Sequence, residues 1–136
     1  MAKLASLCQQ WAPRLLSVLR IITGFLFMPH GAQKLFGFLA TQPGSTPSLL
    51  SMVGIGGVLE FFGGLLILLG LFTRPVAFIL SGMMAVAYFM AHAPQGFWPL
   101  QNGGELAVFY CFVFLYLSAA GGGAWSLDSI WRRGKI

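Results

Sequence analysis

Charge is what this chain has least of. Asp, Glu, Lys and Arg make up 8% of its 136 residues and only three of them are acidic, where an ordinary soluble domain is roughly one quarter charged. With 57% of its residues hydrophobic, a soluble domain of this length could not hide its apolar surface. Cysteine is nearly as scarce: Cys8 and Cys111 stand alone, with no C-x-x-C or C-x-x-C-H motif. That excludes a thioredoxin-type dithiol and a covalently attached c-type haem, and the two thiols lie too far apart to bridge within one molecule. A nucleotide-binding glycine fingerprint and a set of iron-sulfur ligands are also missing. The net charge of +5 comes from scattered residues without a basic groove or recognition motif, which argues against nucleic-acid binding.

What is present is long apolar sequence. Four stretches stand out, approximately Leu15 to Phe36, Leu49 to Phe72, Val76 to Ala93 and Gly104 to Gly121. About 20 helical residues cross a hydrocarbon core of about 30 Å, so the last two are short but adequate if their flanks contribute. The chain therefore reads as all-α: one domain over 1–136, an integral-membrane four-helix bundle surrounded by lipid. The first stretch is too long for a cleavable signal core, carries Arg20, His30 and Lys34, and lacks a small-x-small cleavage pattern, so it is expected to remain as a helix. Lys3 and Arg14 precede it, Arg74 joins the second and third stretches, and Arg132, Arg133 and Lys135 follow the fourth. These fall on one side of an even-numbered bundle, and the positive-inside rule then predicts both termini in the cytoplasm. From Ser126 the tail reads as a short interfacial helix with Asp128 in its first turn. Thr73-Arg74-Pro75 is a tight joint in which Pro75 can start a helix. The opposite connections are longer: Phe38 to Ser48 holds Pro43, Gly44 and Pro47, and Ala93 to Gly103 holds Pro94, Phe97, Trp98 and Pro99.

The few polar residues inside the spans carry the functional signal. Glu60 lies near the middle of the second stretch, where a carboxylate costs about 2.5 to 3.5 kcal/mol on insertion scales. Helical periodicity puts Arg20, Thr23, Gly24, Phe27, His30, Gly31 and Lys34 on one face of the first span, and Val53, Gly56, Glu60, Gly64 and Ile67 on one face of the second. The small residues beside Glu60 predict close helix approach, with the carboxylate facing a neighbour. Ser81, Ala85, Tyr88 and His92 line up on the third span, and Glu105, Phe109, Phe112 and Tyr116 on the fourth. Depth then predicts two clusters. Arg20 and Glu60 are expected to pair within the bundle, either to fix helix register or to act directly. His30, Lys34, His92 and Glu105 fall together in the outer third. Each of these has a plainer reading: Lys34 and His30 as interfacial side chains, Glu105 as a favourable charge at a helix N-terminus, and Trp98 and Phe97 as an interfacial belt. Pro29 beside His30 disrupts the local helix and marks a kink.

Phe27-Met28-Pro29-His30-Gly31-Ala32-Gln33 matches Phe89-Met90-Ala91-His92-Ala93-Pro94-Gln95 at Phe, Met, His and Gln. Two hairpins related by an axis along the membrane normal would place His30 and His92 at equivalent positions facing that axis.

Taken in order, an Arg in the first span, His30-Gly31-x-x-Lys34-Leu35-Phe36-Gly37, Glu60-Phe61-x-Gly63-Gly64, Leu69-Gly70-Leu71-Phe72-Thr73-Arg74, His92 with Gly96-Phe97-Trp98, Gly104-Glu105-Leu106 and Ser126-Leu127-Asp128 resemble the DoxX family of small four-helix bacterial inner-membrane proteins. The resemblance covers nearly the whole chain. It implies association with quinone or thiosulfate:quinone oxidoreductase subunits, with oxidative or thiol-stress membrane complexes, and with tolerance to quinones and electrophiles.

Two classes of function are in play. In the first, the chain is a redox-linked subunit or partner of a quinone or thiol oxidoreductase. His30, Lys34 and His92 would bind the substrate, Tyr88 and Trp98 would wall it, Glu105 would accept a proton, and Glu60 would hold or relay one while Arg20 tunes its pKa downward. Its cofactor is left open: a quinone suits the site, and neither haem nor a metal on two imidazoles is ruled out, although no metal-ligand motif is present. In the second, it is a non-enzymatic scaffold or small proton-coupled carrier, which four short helices would support better as a homo-oligomer.

Overall fold

A computed structural model describes residues 1–40, 44 and 46–134. Pro43 of the first long connection and Lys135 of the basic tail lie outside the described residues. Among those described, every regular element is helical. Helix α1 spans Ala2–Phe36, α2 Met52–Leu69 and α3 Thr73–Ala87. A π-helical turn at Tyr88–His92 and a 3-10 turn at Ala93–Gln95 extend α3. A single turn, α4 at Pro99–Asn102, then leads into α5 at Glu105–Ala120, and α6 at Leu127–Arg133 closes the chain.

The first helix is thus longer than its apolar stretch, beginning at Ala2 and running on through Pro13 and Pro29. Among the described residues three helical segments are long and apolar enough to cross a membrane, Ala2–Phe36, Met52–Leu69 and Thr73–Gln95; Glu105–Ala120 is apolar but shorter. The boundaries have local causes. The Ser51 hydroxyl caps α2 by accepting from the Gly54 amide at 3.0 Å, as N-cap side chains do. At the far end Gly70 takes φ 69° and its N–H reaches back to Ile67 and Leu66. A Cβ there would lie 2.5 Å from the Ser126 Cβ and 2.9 Å from the Arg20 Cζ, so both conformation and space select glycine.

The helices associate as two pairs, α1 with α2 and α3 with α5. Within the first pair the backbones nearly touch. A Cβ on Gly24 would lie 2.6 Å from the Leu68 nitrogen, one on Gly31 would collide with the Phe61 nitrogen and approach the Gly57 oxygen at 2.5 Å, and one on Gly64 would lie 2.9 Å from the Met28 Cα. Without a hydrophobic drive between helices in lipid, such small-residue seams supply the packing. Between the pairs sits the core: Phe27, Ile67, Ala77, Leu80, Met84, Tyr110, Phe114 and Leu117. Phe27 meets Tyr110 and Phe114 edge-on at 5.0 and 4.9 Å, a favoured aromatic geometry. The outward faces keep large apolar side chains such as Phe25, Phe62, Phe78, Phe109 and Phe112 exposed, as a lipid-facing surface requires.

The face assigned to the fourth stretch is corrected here. Glu105, Phe109, Phe112 and Tyr116 all point outward, and the buried face of α5 is Tyr110, Phe114 and Leu117. Only three acidic residues exist, and the periodicity argument turned Glu105 inward on the strength of its charge.

Candidate functional site

The glycine contacts set the register of α1 against α2, and the register decides which charges meet. Gly31 lies against Gly57 and Phe61, and Gly24 against Gly64 and Leu68. Continuing antiparallel, Lys34 comes opposite Gly57, one turn from Glu60, while Arg20 comes opposite Gly70, about 15 Å beyond Glu60. The expected Arg20–Glu60 pair therefore does not form. The Lys34 ammonium donates to both Glu60 oxygens at 2.7 Å, and Glu60 is buried.

Arg20 does different work. It is fully buried, and its guanidinium donates to four carbonyls: Ile67 at 2.6 Å, Leu68, Gly122 at 2.8 Å and Trp125 at 2.6 Å. Two of these are carbonyls in the last turn of α2, where acceptor capacity is left over, and two belong to the segment joining α5 to α6. Asp128 adds a second tie at this tail end of the bundle. Its carboxylate accepts from the Phe72 and Thr73 amides at 2.8 and 2.9 Å, capping α3 where Phe72 is held at φ 51°. The Asp128 amide in turn donates to the Gly70 carbonyl at 2.9 Å. Arg20 and Asp128 are thus consumed by backbone groups, and Arg20 has no opening to a ligand.

At the opposite end the two pairs diverge around a cavity of about 330 Å³. His30, Lys34, Glu60, His92, Tyr110 and Phe27 are among its lining residues. His30 and His92, the histidines of the internal sequence match, line one space from different pairs. His30 approaches Tyr110 edge-on at 6.3 Å. His92 falls in the π-helical turn, a distortion that recurs at functional sites. Its Nδ1 lies 3.1 Å from the Asn102 carbonyl oxygen, and its ring stacks on Tyr88 at 6.3 Å with 26° between planes. Asn102 is itself pinned: its amide donates to the Gly96 carbonyl at 2.9 Å and to the Tyr88 hydroxyl at 3.2 Å, and its Oδ1 accepts from the Gly104 amide at 2.8 Å.

Three residues expected at this site, Glu105, Trp98 and Tyr88, do not line it. Glu105 is exposed and lines a separate cavity with Trp98, Leu100 and Phe109. Trp98 does not wall the polar cavity; with Tyr88, Phe97, Cys111 and Phe112 it lines an apolar one of about 490 Å³ on the other side of the α3–α5 pair. Tyr88 reaches the polar site only through its stacking on His92. Conversely, Tyr110, Met84 and Asn102 were not singled out from sequence. An asparagine in a connection rich in Gly and Pro was the one available signal among them.

The donor set does not suit a metal ion. Among the described residues no three His, Cys, Asp or Glu side chains gather, and the cavity's carboxylate is already neutralised by an ammonium. Two imidazoles with a fixed cation are better matched to oxygen atoms of an organic ligand.

Fold and site together define a helical membrane protein whose helix pairs enclose a polar cavity at one end. A family model described as DoxX matches residues 15–93, and the chain belongs to the DoxX family. A Haemophilus influenzae protein described as uncharacterized is 42% identical over 125 residues, covering 89% of this chain and 93% of that protein. Inner membrane protein YqjF of Escherichia coli is 31% identical over 122 residues, covering 83% of this chain and 88% of its own length. An uncharacterized membrane protein of Mycobacterium tuberculosis is 28% identical over 151 aligned positions, covering 94% and 92%. No solved structure matches the chain.

Proposed function

We propose that this chain is a redox-linked subunit or partner of a quinone or thiol oxidoreductase, and that its polar cavity binds the oxygen-bearing head group of a small membrane-soluble compound such as a quinone. The observation that carries the reading is the Lys34–Glu60 pair beside His30 and His92 in one cavity. An ammonium shared by two carboxylate oxygens can turn one N–H toward a carbonyl ligand without abandoning its counter-ion, and imidazoles can donate or accept beside it. Electrons come from a partner enzyme, and the chain's own residues position the head group and hold its protons. The carrier alternative has less support, because Phe27, Ile67, Leu80, Phe114 and Leu117 form a dry core between this cavity and Arg20.

In this reading α5 is the fourth span, the protein sits in the bacterial inner membrane, and the tail end with Arg14, Arg74, Arg132 and Arg133 faces the cytoplasm. The cavity then opens toward the outer leaflet. Titration of the detergent-purified chain with a short-chain quinone tests the site. Saturable binding is expected, weakened at least about tenfold by Lys34→Met, which amounts to one lost charge-assisted hydrogen bond. Glu105→Gln, outside the cavity, should leave binding unchanged. Absence of saturable binding, or equal sensitivity to Glu105→Gln, would overturn the assignment.

A further inference from the structure

The two cavity histidines differ in one respect. No hydrogen bond holds the His30 ring among the described residues, and it is exposed. His92 is fixed: Nδ1 lies 3.1 Å from the Asn102 carbonyl oxygen. A carbonyl only accepts, so Nδ1 carries the hydrogen of that bond. In the neutral ring this leaves Nε2 with a lone pair and no N–H. Nε2 has no protein hydrogen-bond partner among the described residues, and His92 lines the cavity. The orientation is over-determined. Asn102 is 4% exposed and its side chain makes three hydrogen bonds that lock the carbonyl's segment, while Tyr88 stacks on the ring and accepts one of those bonds.

We infer that the cavity selects the reduced, hydroxyl-bearing form of its head-group ligand, a hydroquinone or similar phenol, with His92 Nε2 accepting that hydroxyl's hydrogen. Asn102 is a positioning residue acting through the His92 tautomer. This rests on the head-group reading above and names the ligand's protonation state. The acceptor set is asymmetric: Lys34 can only donate, His92 in this tautomer can only accept, so a ligand oxygen that donates to one and accepts from the other is matched by both. A quinone carbonyl satisfies Lys34 alone. If the proton crosses, the ligand O–H bond breaks, an N–H bond forms at Nε2, and the phenolate oxygen is left beside the Lys34 ammonium. No electron moves in this step, and any oxidation that follows belongs to the partner.

The test uses the full chain in nanodiscs under anaerobic conditions with three probes sharing one ring and one short alkyl chain: the hydroquinone, its quinone and its dimethyl ether. The hydroquinone is expected to bind about tenfold or more tighter than the ether, since a site that hydrogen-bonds a hydroxyl penalises its loss. His92→Phe, which keeps a flat ring without Nε2, should erase that preference. Independently of any ligand, the ¹⁵N spectrum of histidine-labelled protein should show one ring in the Nδ1-protonated tautomer, its signals vanishing in His92→Phe. An Nε2-protonated His92, or equal affinity for hydroquinone and ether in the unmodified chain, overturns the inference while leaving a head-group site intact. Failure of all three probes to bind removes both. The spectrum and the probe comparison on the unmodified chain suffice even if His92→Phe does not fold.

Discussion

Arg20 and Glu60 looked like natural partners because they were the deepest opposite charges in the chain, yet each is satisfied by something else. For Arg20 the partners are backbone carbonyls, which sequence patterns do not mark. A guanidinium suits them because its donors fan out in a plane, reaching α2 on one side and the 122–125 segment on the other. Lysine offers a point charge on a flexible stem and cannot span both. Arg20→Lys should therefore destabilise the bundle by about 2 kcal/mol or more, since at least one charge-assisted bond to a buried carbonyl is lost. A fall in melting temperature in detergent would show this, while quinone binding at temperatures where the variant is folded should persist. Unchanged melting would mean that the clamp contributes nothing. Lys34 was legible as a polar residue on the right face, and its interfacial reading was half right: its side chain is 36% exposed, yet its ammonium is fixed on Glu60.

The helices themselves were largely legible, and the reasons are specific. The start of α2 follows from Ser51, and its end from Gly70, at positions any capping argument would choose. The start of α1 was missed because Ala2 to Arg14 is polar enough to fall outside a hydropathy window while remaining good helix sequence. On the third stretch Tyr88 and His92 are neighbours as the spacing expects, but the π-helical turn changes the angular offset after Ala87 and the two line different cavities. The face of the fourth stretch went astray for another reason. On α5 the apolar residues surround the helix, leaving little amphipathic contrast to read. The glycine seam was visible in part as spacing: Gly64 lies on the expected face, but Gly57 and not Gly56 meets α1, and Val53 is exposed; the seam sorts substitutions sharply. Gly31→Ala puts a methyl group into the backbone of α2 and should cost about 1 to 3 kcal/mol or displace α1. Gly56→Ala, where an added Cβ meets nothing within 4 Å, should be silent. Melting curves and the yield of folded protein distinguish the two, and equal behaviour would argue against the observed α1–α2 register.

At the scale of the molecule, the asymmetry between the two ends determines what each can do. The tail end is tied by Arg20 and Asp128 into the carbonyls and amides of three helix termini, and the other end splays around its cavity. The proposed orientation rests on charge alone, and Cys8 offers a direct probe because it is exposed on the part of α1 that precedes its packed segment. With Cys111→Ala removing the second thiol, a membrane-impermeant maleimide should leave Cys8 untouched in intact spheroplasts and modify it after permeabilisation. Labelling of intact cells would reverse the topology and turn the cavity toward the cytoplasm.

The clamp on Arg20 also imposes an order on biosynthesis. Two of its four partners, Gly122 and Trp125, are separated from it in sequence by 102 and 105 residues, so they leave the ribosome long after α1 has entered the bilayer. Until then a charged side chain inside the first helix has only the end of α2 to satisfy it. The α1–α2 hairpin must wait in a half-neutralised state, and the last segment translated completes the first one inserted. A chain ending after Ala120 would hold α1 to α5 with its buried cation still short of two of its four partners.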